Sequence, residues 1–397
     1  MMFEVLRPKP ADKILKLMKA YREDTRSEKI DLGVGVYKNS TGITPIMQAV
    51  KKAEQRIWEE QQTKAYVGLE GDSAFNDSMI GLILNNTIER DRIAAVATPG
   101  GSGAVRQAFE LIRQANPNVR VFVSNPTWPN HVSMLSYLGI EQIDYRYFDE
   151  RSRGIDIQGM LDDISKARPG DVVLLHGCCH NPTGANLTSV EWDEVISMLQ
   201  RTGATPMIDI AYQGFGEGVE QDAVATRKVA ESCPETLIAA SCSKNFGIYR
   251  ERTGQLMLIT QEKDKSSVKM KQETLAFLNR QNYSFPPDHG GRIVSTILND
   301  SSLRVLWEAE LERIRTSLLD IRNLLAATLQ ELSHSDRFGF ITQHRGMFSQ
   351  LGCNFEQVKV LRENYAIYMV DDSRINVAGL TEEKVPVVAK AIIKVGI

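Results

Sequence analysis

Ser241-Cys-Ser-Lys244-Asn-Phe-Gly247 directly follows an apolar run, residues 237–240, that predicts a short buried strand. Polar residues that begin where a strand leaves a sheet lie at the edge where open α/β sheets bind their ligands. Lys244 is the only cation of this segment. A lysine partly buried at a strand end can have a lowered pKa and act as a nucleophilic amine, although most lysines after strands are simply solvated.

Two neighbours of Lys244 have side chains suited to holding an anion. Ser241 offers a hydroxyl and Arg252, eight residues after the lysine, offers a guanidinium fork. Both groups hold phosphates in proteins. A nucleophilic amine beside a phosphate site suggests pyridoxal phosphate as the cofactor, and the rest of the chain decides between this interpretation and a solvated lysine.

Length and composition exclude several classes of protein. The chain has 397 residues, 42% of them hydrophobic and 24% charged, as in a globular enzyme with one large and one smaller domain. A net charge of -3 argues against a nucleic-acid or membrane-surface partner. No signal peptide or long apolar segment is recognisable, and the five cysteines form neither disulfide pairs nor zinc spacings. We therefore expect a cytoplasmic protein without a bound metal.

From residue 93 onward the pattern strand, loop, helix repeats, which predicts a mainly parallel sheet with helices on both faces. The first unit predicts a glycine-rich loop over 98–104 and a helix over 105–113. Free backbone amides at a helix start form an anion site. A nicotinamide dehydrogenase could use such a loop, but the G-x-G-x-x-G spacing is not met.

Further polar or aromatic residues follow the next predicted strands. Trp128 could stack on a planar ring or form a packed corner. His180 and Asn181 follow the strand at 172–175, where the histidine could equally be a hydrogen-bonded core residue. Asp209, before Tyr212, needs a cationic partner if it is buried. Five successive strand ends thus supply residue types that one phosphorylated pyridine aldehyde requires.

The last quarter of the chain predicts a second structural unit. A long amphipathic helix over 302–332 predicts a connection between two domains. We predict a large domain over 45–310 and a smaller α+β domain formed by 1–44 and 311–397, which contains Arg374. Near the start of the chain, glycines alternate with valines over 33–37, which suits either close approach to a ligand or a bulged edge strand.

Taken together, the motifs resemble those of the fold-type-I aminotransferases, in the aspartate and aromatic amino-acid aminotransferase branch. The resemblance covers essentially the whole chain, and its motifs are specific in combination. They are Gly-Val-Gly-Val-Tyr at 33–37, Asn-Pro-Thr-Trp-Pro-Asn-His at 125–131, Cys-His-Asn-Pro-Thr-Gly at 179–184, Asp-Ile-Ala-Tyr-Gln-Gly-Phe at 209–215, Ser-Lys-Asn-Phe-Gly at 243–247 with Glu-Arg at 251–252, and Arg-Ile-Asn-Val-Ala-Gly at 374–379.

The resemblance implies the pyridoxal-phosphate fold of these enzymes, with a seven-stranded sheet, and a role for each matching residue. Lys244 would bond to the cofactor and move a proton, Asp209 would pair with its pyridine nitrogen, and Tyr212 would complete the catalytic set. His131 would support Asp209. Cofactor-binding residues would be Gly101, Ser102, Trp128, Asn181, Ser241, Arg252 and, from the other subunit, Tyr66.

The resemblance implies two groups of substrate-binding residues, one for each carboxylate of a dicarboxylic substrate. Arg374 and Gly35, with Trp128 and Asn181, would bind the α-carboxylate end. Arg280 would reach across from the partner subunit to a distal carboxylate. The resemblance therefore implies a homodimer with shared sites. It also makes the Asn125-Pro126 and Asn181-Pro182 bonds candidates for the cis form.

The sequence features that bear on substrate preference disagree with one another. Phe285 and Ala65 stand where aspartate-specific members carry asparagine or another amide, which favours aromatic side chains, whereas Val36, Lys38 and Thr44 are of the aspartate type. We predict ping-pong transamination between aromatic amino acids, with aspartate and glutamate as further donors, and 2-oxoglutarate. An aspartate aminotransferase is the alternative. A dehydrogenase, a non-catalytic regulator, and a lyase or decarboxylase with the same cofactor are weaker ones.

Overall fold

The computed structural model describes residues 2–7, 12–261 and 264–397. None of the helices in these ranges is long and apolar enough to cross a membrane. The α-helices span Lys13–Glu23 (α1), Gln48–Glu60 (α2), Ser73–Leu84 (α3), Gly100–Ala115 (α4), Pro129–Leu138 (α5), Ile157–Ile164 (α6), Ser189–Thr202 (α7), Val224–Ser232 (α8), Lys265–Asn282 (α9), His289–Asn299 (α10), Ser301–Ser333 (α11), Phe340–Gln343 (α12), Phe355–Tyr365 (α13) and Val385–Lys394 (α14). The strands span Ile30–Asp31 (β1), Ile93–Pro99 (β2), Arg120–Asn125 (β3), Glu141–Arg146 (β4), Phe148–Asp149 (β5), Gly154–Ile155 (β6), Val172–His176 (β7), Thr205–Ile210 (β8), Glu235–Ser241 (β9), Thr253–Thr260 (β10), Phe348–Gln350 (β11), Ile367–Tyr368 (β12) and Arg374–Asn376 (β13).

Seven strands form the central sheet in the order β2-β10-β9-β8-β7-β3-β4. Six of them run parallel, and β10 runs antiparallel to both of its neighbours. The apolar runs of β2, β7 and β8 are buried on both faces, as expected for strands covered by helices. The predicted α/β class with a mainly parallel sheet is confirmed.

The carboxyl ends of the parallel strands meet at one edge of the sheet, which positions the site. Strand β10 begins at this same edge because it runs in the opposite direction. Its first residues pair with the last residues of both neighbours, Thr253 with Pro99 and Gly254 with Ser241. Arg252, just before β10, therefore lies between the end of β9 and the start of α4.

A second hydrophobic core lies outside the sheet and is built from Ile30, Leu32 and residues between 321 and 392. Helix α11, about 50 Å long at 1.5 Å per residue, contributes to both cores. Trp307 packs in the sheet core, and Leu325 packs in the second core. The domain division at 310/311 falls inside this helix and stays a prediction. Residues 1 and 8–11 of the smaller predicted domain lie outside the described residues.

Two features differ from the elements predicted from sequence. Strand β4 was not predicted, because its alternating polar residues lie at the exposed edge of the sheet. The predicted glycine-rich loop up to residue 104 is wrong, since α4 begins at Gly100, directly after β2. Gly100 has φ +72°, a left-handed conformation that turns the chain into the helix at once.

Candidate active site

A cavity of about 220 Å³ opens at the carboxyl edge of the sheet. Its lining comes from the ends of five strands and the start of α4, so residues distant in sequence converge there. Ten of the residues predicted for the site line it: Gly35, Gly101, Ser102, Trp128, Asn181, Asp209, Tyr212, Ser241, Lys244 and Arg252.

The Lys244 amine is partly buried in this cavity, with Nζ 4.7 Å from the centre of the Tyr212 ring. The pKa of Lys244 is lowered to about 8. Burial is the main cause, the carboxylate of Asp209 opposes the shift, and the positive charge of Arg252 adds to it. A substantial fraction of the amine is therefore neutral and nucleophilic near pH 8.

Asp209 lies at the end of β8 and faces a chain of hydrogen bonds. Its Oδ2 is 3.0 Å from His131 Nε2, His131 Nδ1 is 2.9 Å from Thr127 Oγ1, and that hydroxyl is 3.2 Å from His176 Nε2. Burial alone would raise the pKa of Asp209, but the hydrogen bond from His131 and nearby positive charge lower it. The carboxylate is thus ionised and held in one orientation.

Trp128 and Tyr212 flank these two residues. The Trp128 and His131 rings meet edge to face, with centroids 5.1 Å apart and planes at 90°. Burial raises the pKa of the Tyr212 phenol, which stays protonated and can donate a hydrogen bond. A planar ring placed in the cavity would have an aromatic side chain and a hydroxyl donor beside it.

The start of α4 and Arg252 form an anion cup. A Cβ on Gly100 would lie 2.6 Å from Arg252 Nη2, and a Cβ on Gly101 would lie 2.8 Å from Ser241 Cβ. Only glycine allows the helix N-terminus to approach these side chains so closely. The anion cup therefore combines backbone N–H groups, the helix dipole, two hydroxyls and a guanidinium, which are the groups that surround bound phosphates in proteins.

Arg374 contacts the lining residue Asn181 and backs this wall of the cavity, although it is not a lining residue itself. Arg374 Nη1 donates to Asn181 Oδ1 at 3.2 Å, and Nη2 donates to the Gly33 carbonyl at 2.9 Å. Arg374 is 6% exposed, and its Nε has no hydrogen-bond partner within the described parts of the chain. A buried guanidinium with an unused donor is suited to a carboxylate. Both predicted cis bonds, Asn125-Pro126 and Asn181-Pro182, are present.

Tyr66 and Arg280 lie apart from this cavity, on the surface. Tyr66 is 85% exposed and stacks on Phe285, with ring centroids 4.7 Å apart and planes at 15°. The exposed Arg280 lies 5.9 Å from the Phe285 ring centre and donates to Ser284 Oγ. We call Tyr66, Phe285 and Arg280 the surface stack. The two residues implied for a neighbouring subunit's site thus point away from the site of their own chain.

The sequence does not identify four of the lining residues, which are His176, Ala211, Ser243 and Tyr249. Ser243 Oγ accepts from Arg252 Nη1 at 3.4 Å, and the Tyr249 hydroxyl accepts from the Tyr37 backbone N–H at 3.2 Å. Ser243 lies between Ser241 and Lys244, and Tyr249 lies between Lys244 and Arg252. Their position between predicted site residues was the available signal.

The residues present fit pyridoxal phosphate. The anion cup suits its phosphate, the ionised Asp209 suits a protonated pyridine nitrogen, and the Lys244 amine suits an aldehyde. Close packing at Gly100 and Gly101 leaves a cradle that any larger side chain would fill.

Comparisons with known proteins agree with this chemistry. The family described as aminotransferase class I and II matches residues 27–392. The chain is 57% identical to an aromatic-amino-acid aminotransferase of Paracoccus denitrificans, over 99% of each chain. It is 41% identical to an aspartate aminotransferase of Haemophilus influenzae, over 99% of this chain and 100% of that one.

A solved structure matches the whole fold. It is an aromatic-amino-acid aminotransferase from Burkholderia pseudomallei covalently bound to pyridoxal phosphate, with 37% identity and a TM-score of 0.96, over 100% of this chain and 99% of that one. The predicted family and the predicted aminotransferase activity are confirmed. The chain belongs to the class I and II aminotransferases.

Proposed function

We propose that this aminotransferase uses pyridoxal phosphate to move the amino group between aromatic amino acids and 2-oxoglutarate by a ping-pong mechanism. Aspartate and glutamate serve as further donors. One observation carries the proposal: the Lys244 amine, the Asp209 carboxylate and the anion cup line a single cavity. The lowered pKa values of both groups favour a neutral Lys244 amine near pH 8 and an ionised Asp209 carboxylate.

Each residue of the cavity then has a distinct task. Lys244 Nζ would hold the aldehyde carbon of the cofactor. Once displaced by the substrate amine, it would move a proton from the substrate Cα to that carbon in the first half of the reaction and in the reverse direction in the second half. Asp209, oriented by His131, holds a proton on the ring nitrogen. Pyridoxal phosphate, when bound, supplies a ring that accepts the negative charge developing at Cα. Gly101, Ser102, Ser241 and Arg252 hold its phosphate, and Trp128, Asn181 and Tyr212 position its ring.

The substrate's α-carboxylate binds to Arg374, which keeps one N–H on each of Nη1 and Nη2 beyond those given to Asn181 and Gly33. Gly35 and Asn181 complete that end of the site. A distal carboxylate needs a second cation, and we assign it to Arg280 of a second copy of the chain. The outward position of Arg280 and Tyr66 supports a homodimer in which each chain completes its partner's site.

Two observations support aromatic substrates over the alternative, a plain aspartate aminotransferase. Phe285 adds an apolar ring next to Tyr66 and Arg280, where an asparagine could not stack. Lys38, an aspartate-type residue, pairs with Asp31 at 3.1 Å, so its charge is compensated within the chain. Two observations favour the aspartate aminotransferase instead, namely the aspartate-aminotransferase relatives and the aspartate-type residues Val36 and Thr44.

Arg280→Ala is expected to lower kcat/KM for aspartate and glutamate by about 100-fold, while phenylalanine in its own half-reaction stays within about threefold. A hydrogen bond to a charged group contributes about 1.5–3 kcal/mol, and a ring makes no such bond. Single-turnover rates with each amino acid measure this difference.

Initial rates of the unchanged enzyme with single amino acids and 2-oxoglutarate provide the control. We expect tyrosine and phenylalanine to be good donors, since burying a ring gains about as much as the carboxylate clamp. A preference for aspartate over phenylalanine above about a thousandfold, roughly 4 kcal/mol, would establish the aspartate aminotransferase instead.

Hybrid dimers test the shared sites. Mixing inactive Lys244→Ala chains with Arg280→Ala chains should restore dicarboxylate turnover to about a quarter of the wild-type value. Half of randomly exchanged dimers are hybrids, each with one complete site. If hybrids form by mass spectrometry but turnover stays at the level of the parents, Arg280 does not act across the dimer.

We further propose the large cofactor-binding domain over 45–310 and the small domain over 1–44 and 311–397. The second core, drawn from the latter segments, supports this division. Five free and buried cysteines support a reducing compartment, the cytoplasm.

A further inference from the structure

Phe348 lies directly beneath the wall of the cavity that carries Arg374. It is 3% exposed and begins β11, which pairs with β13, the strand that Arg374 begins. The Arg374 guanidinium carbon lies 4.3 Å from the centre of the Phe348 ring. A cation over an aromatic face is attracted to it, most strongly where water is excluded.

The same ring contacts the other parts of that wall. A Cβ on Gly35 would lie 2.9 Å from Phe348 Cζ, so the ring fills the space beneath Gly35. The Tyr212 ring meets Phe348 edge to face at 6.0 Å. The Phe348 carbonyl would lie 2.2 Å from a Cβ on Gly184, in the loop that carries Asn181. The Phe348 side chain thus packs against Arg374, Gly35 and Tyr212 without lining the cavity itself, and its backbone carbonyl packs against Gly184.

Arg322 of α11 fixes the segment that carries Phe348. It is fully buried and donates to the carbonyls of Gly346 at 2.9 Å and Phe348 at 2.7 Å, and to Ser349 Oγ at 2.7 Å. No carboxylate pairs with it in the part of the chain that the structure describes. Burial lowers the pKa of Arg322 to about 9. A buried cation whose partners are mostly backbone carbonyls is costly unless those bonds hold a necessary backbone shape.

We propose that Phe348, held in place by Arg322, is a positioning residue that orients Arg374 for the substrate's α-carboxylate. Two contacts on the guanidinium edges, to Asn181 and Gly33, fix its plane, and the Phe348 ring supports its face. One further N–H on each of Nη1 and Nη2 remains for the substrate carboxylate. This inference rests on the proposed role of Arg374.

The test uses the holoenzyme and two equilibrium measurements. The affinity for 3-phenylpropanoate, a monocarboxylate with an aromatic ring, measures carboxylate binding at Arg374. The affinity for pyridoxal phosphate measures whether the anion cup is intact. Phe348→Leu is expected to weaken 3-phenylpropanoate binding about tenfold and leave the cofactor Kd within about twofold. Phe338→Leu, the same change at a residue of the second core that is 2% exposed, should leave both unchanged.

A double-mutant cycle separates positioning from general disturbance. In an Arg374→Ala background, Phe348→Leu should have no further effect on 3-phenylpropanoate, because its effect passes through the guanidinium. Arg322→Lys keeps the positive charge but makes fewer hydrogen bonds, and it should weaken 3-phenylpropanoate binding severalfold. It replaces Phe348→Leu as the test variant if Phe348→Leu folds poorly.

Two results would overturn the proposal. One is 3-phenylpropanoate binding within twofold of wild type in both Phe348→Leu and Arg322→Lys. The other is an equal loss from Phe348→Leu with and without Arg374. Unchanged binding in Arg374→Ala alone would instead overturn the proposed carboxylate role of Arg374, so the two failures are distinguishable.

Discussion

Lys244→Ala is expected to abolish transamination, with kcat lowered by at least about 10⁴-fold. The covalent attachment point and the group that moves the Cα proton are lost together, and general acid–base catalysis alone contributes about 10²–10⁴-fold. Steady-state rates measure the loss, and borohydride reduction of the wild-type enzyme followed by peptide mapping should place the label on Lys244. A label on another lysine would contradict the assignment.

Stability provides the control for Lys244→Ala. The pKa of about 8 in the folded chain lies below the ordinary value of 10.5, so the unfolded state binds the proton more strongly between these values. The charged lysine therefore destabilises the fold fully below pH 8, and this penalty fades as pH rises toward 10.5. Apoprotein melting at pH 7 should show Lys244→Ala at least as stable as wild type. A clear loss of Tm would mean that the activity loss reflects unfolding.

Asp209→Ala is expected to lower kcat by about 10³-fold or more, which is about 4 kcal/mol or more of barrier. The ionised carboxylate stabilises a proton on the ring nitrogen, and without it the ring accepts electrons poorly. Asp209→Asn is the matched variant, because it keeps a hydrogen-bonding side chain beside His131 and removes the charge.

Single-turnover rates together with circular dichroism measure both chemistry and fold. We expect the two variants to lose similar activity and to keep the wild-type spectrum. Turnover within about tenfold of wild type in either variant would contradict the role of Asp209.

The sheet and most of the cavity residues could be predicted from the sequence, because the patterns that indicate them lie within short stretches of the chain. Apolar runs predicted β2, β7 and β8, and the long helix predicted over 302–332 spans 301–333. Residues such as Asp209 follow such a strand directly, and parallel strands bring their carboxyl ends together. The edge strand β4 gave no apolar run, since only Tyr145 in it is buried.

Other features depend on contacts that no local pattern records. The sequence pattern places Arg322 on the polar face of an amphipathic helix, yet it is fully buried against carbonyls 19 to 26 residues later and the Ser349 hydroxyl. Phe348 reads as a core residue, and its contact with Arg374 arises only from the pairing of β11 with β13. The surface stack likewise joins Tyr66 to a residue more than 200 positions away.

The antiparallel strand β10 has a consequence for how the protein acquires its cofactor. It is the last strand of the sheet to be synthesised, yet it inserts between β2 and β9 and brings Arg252 beside Gly100. Pairings between distant parts of a chain form slowly, because loop closure must precede them. The anion cup is therefore complete only after β10 has paired with both of its neighbours. We therefore expect pyridoxal phosphate to bind late in folding and to stabilise the folded chain by mass action once the last strand is in place.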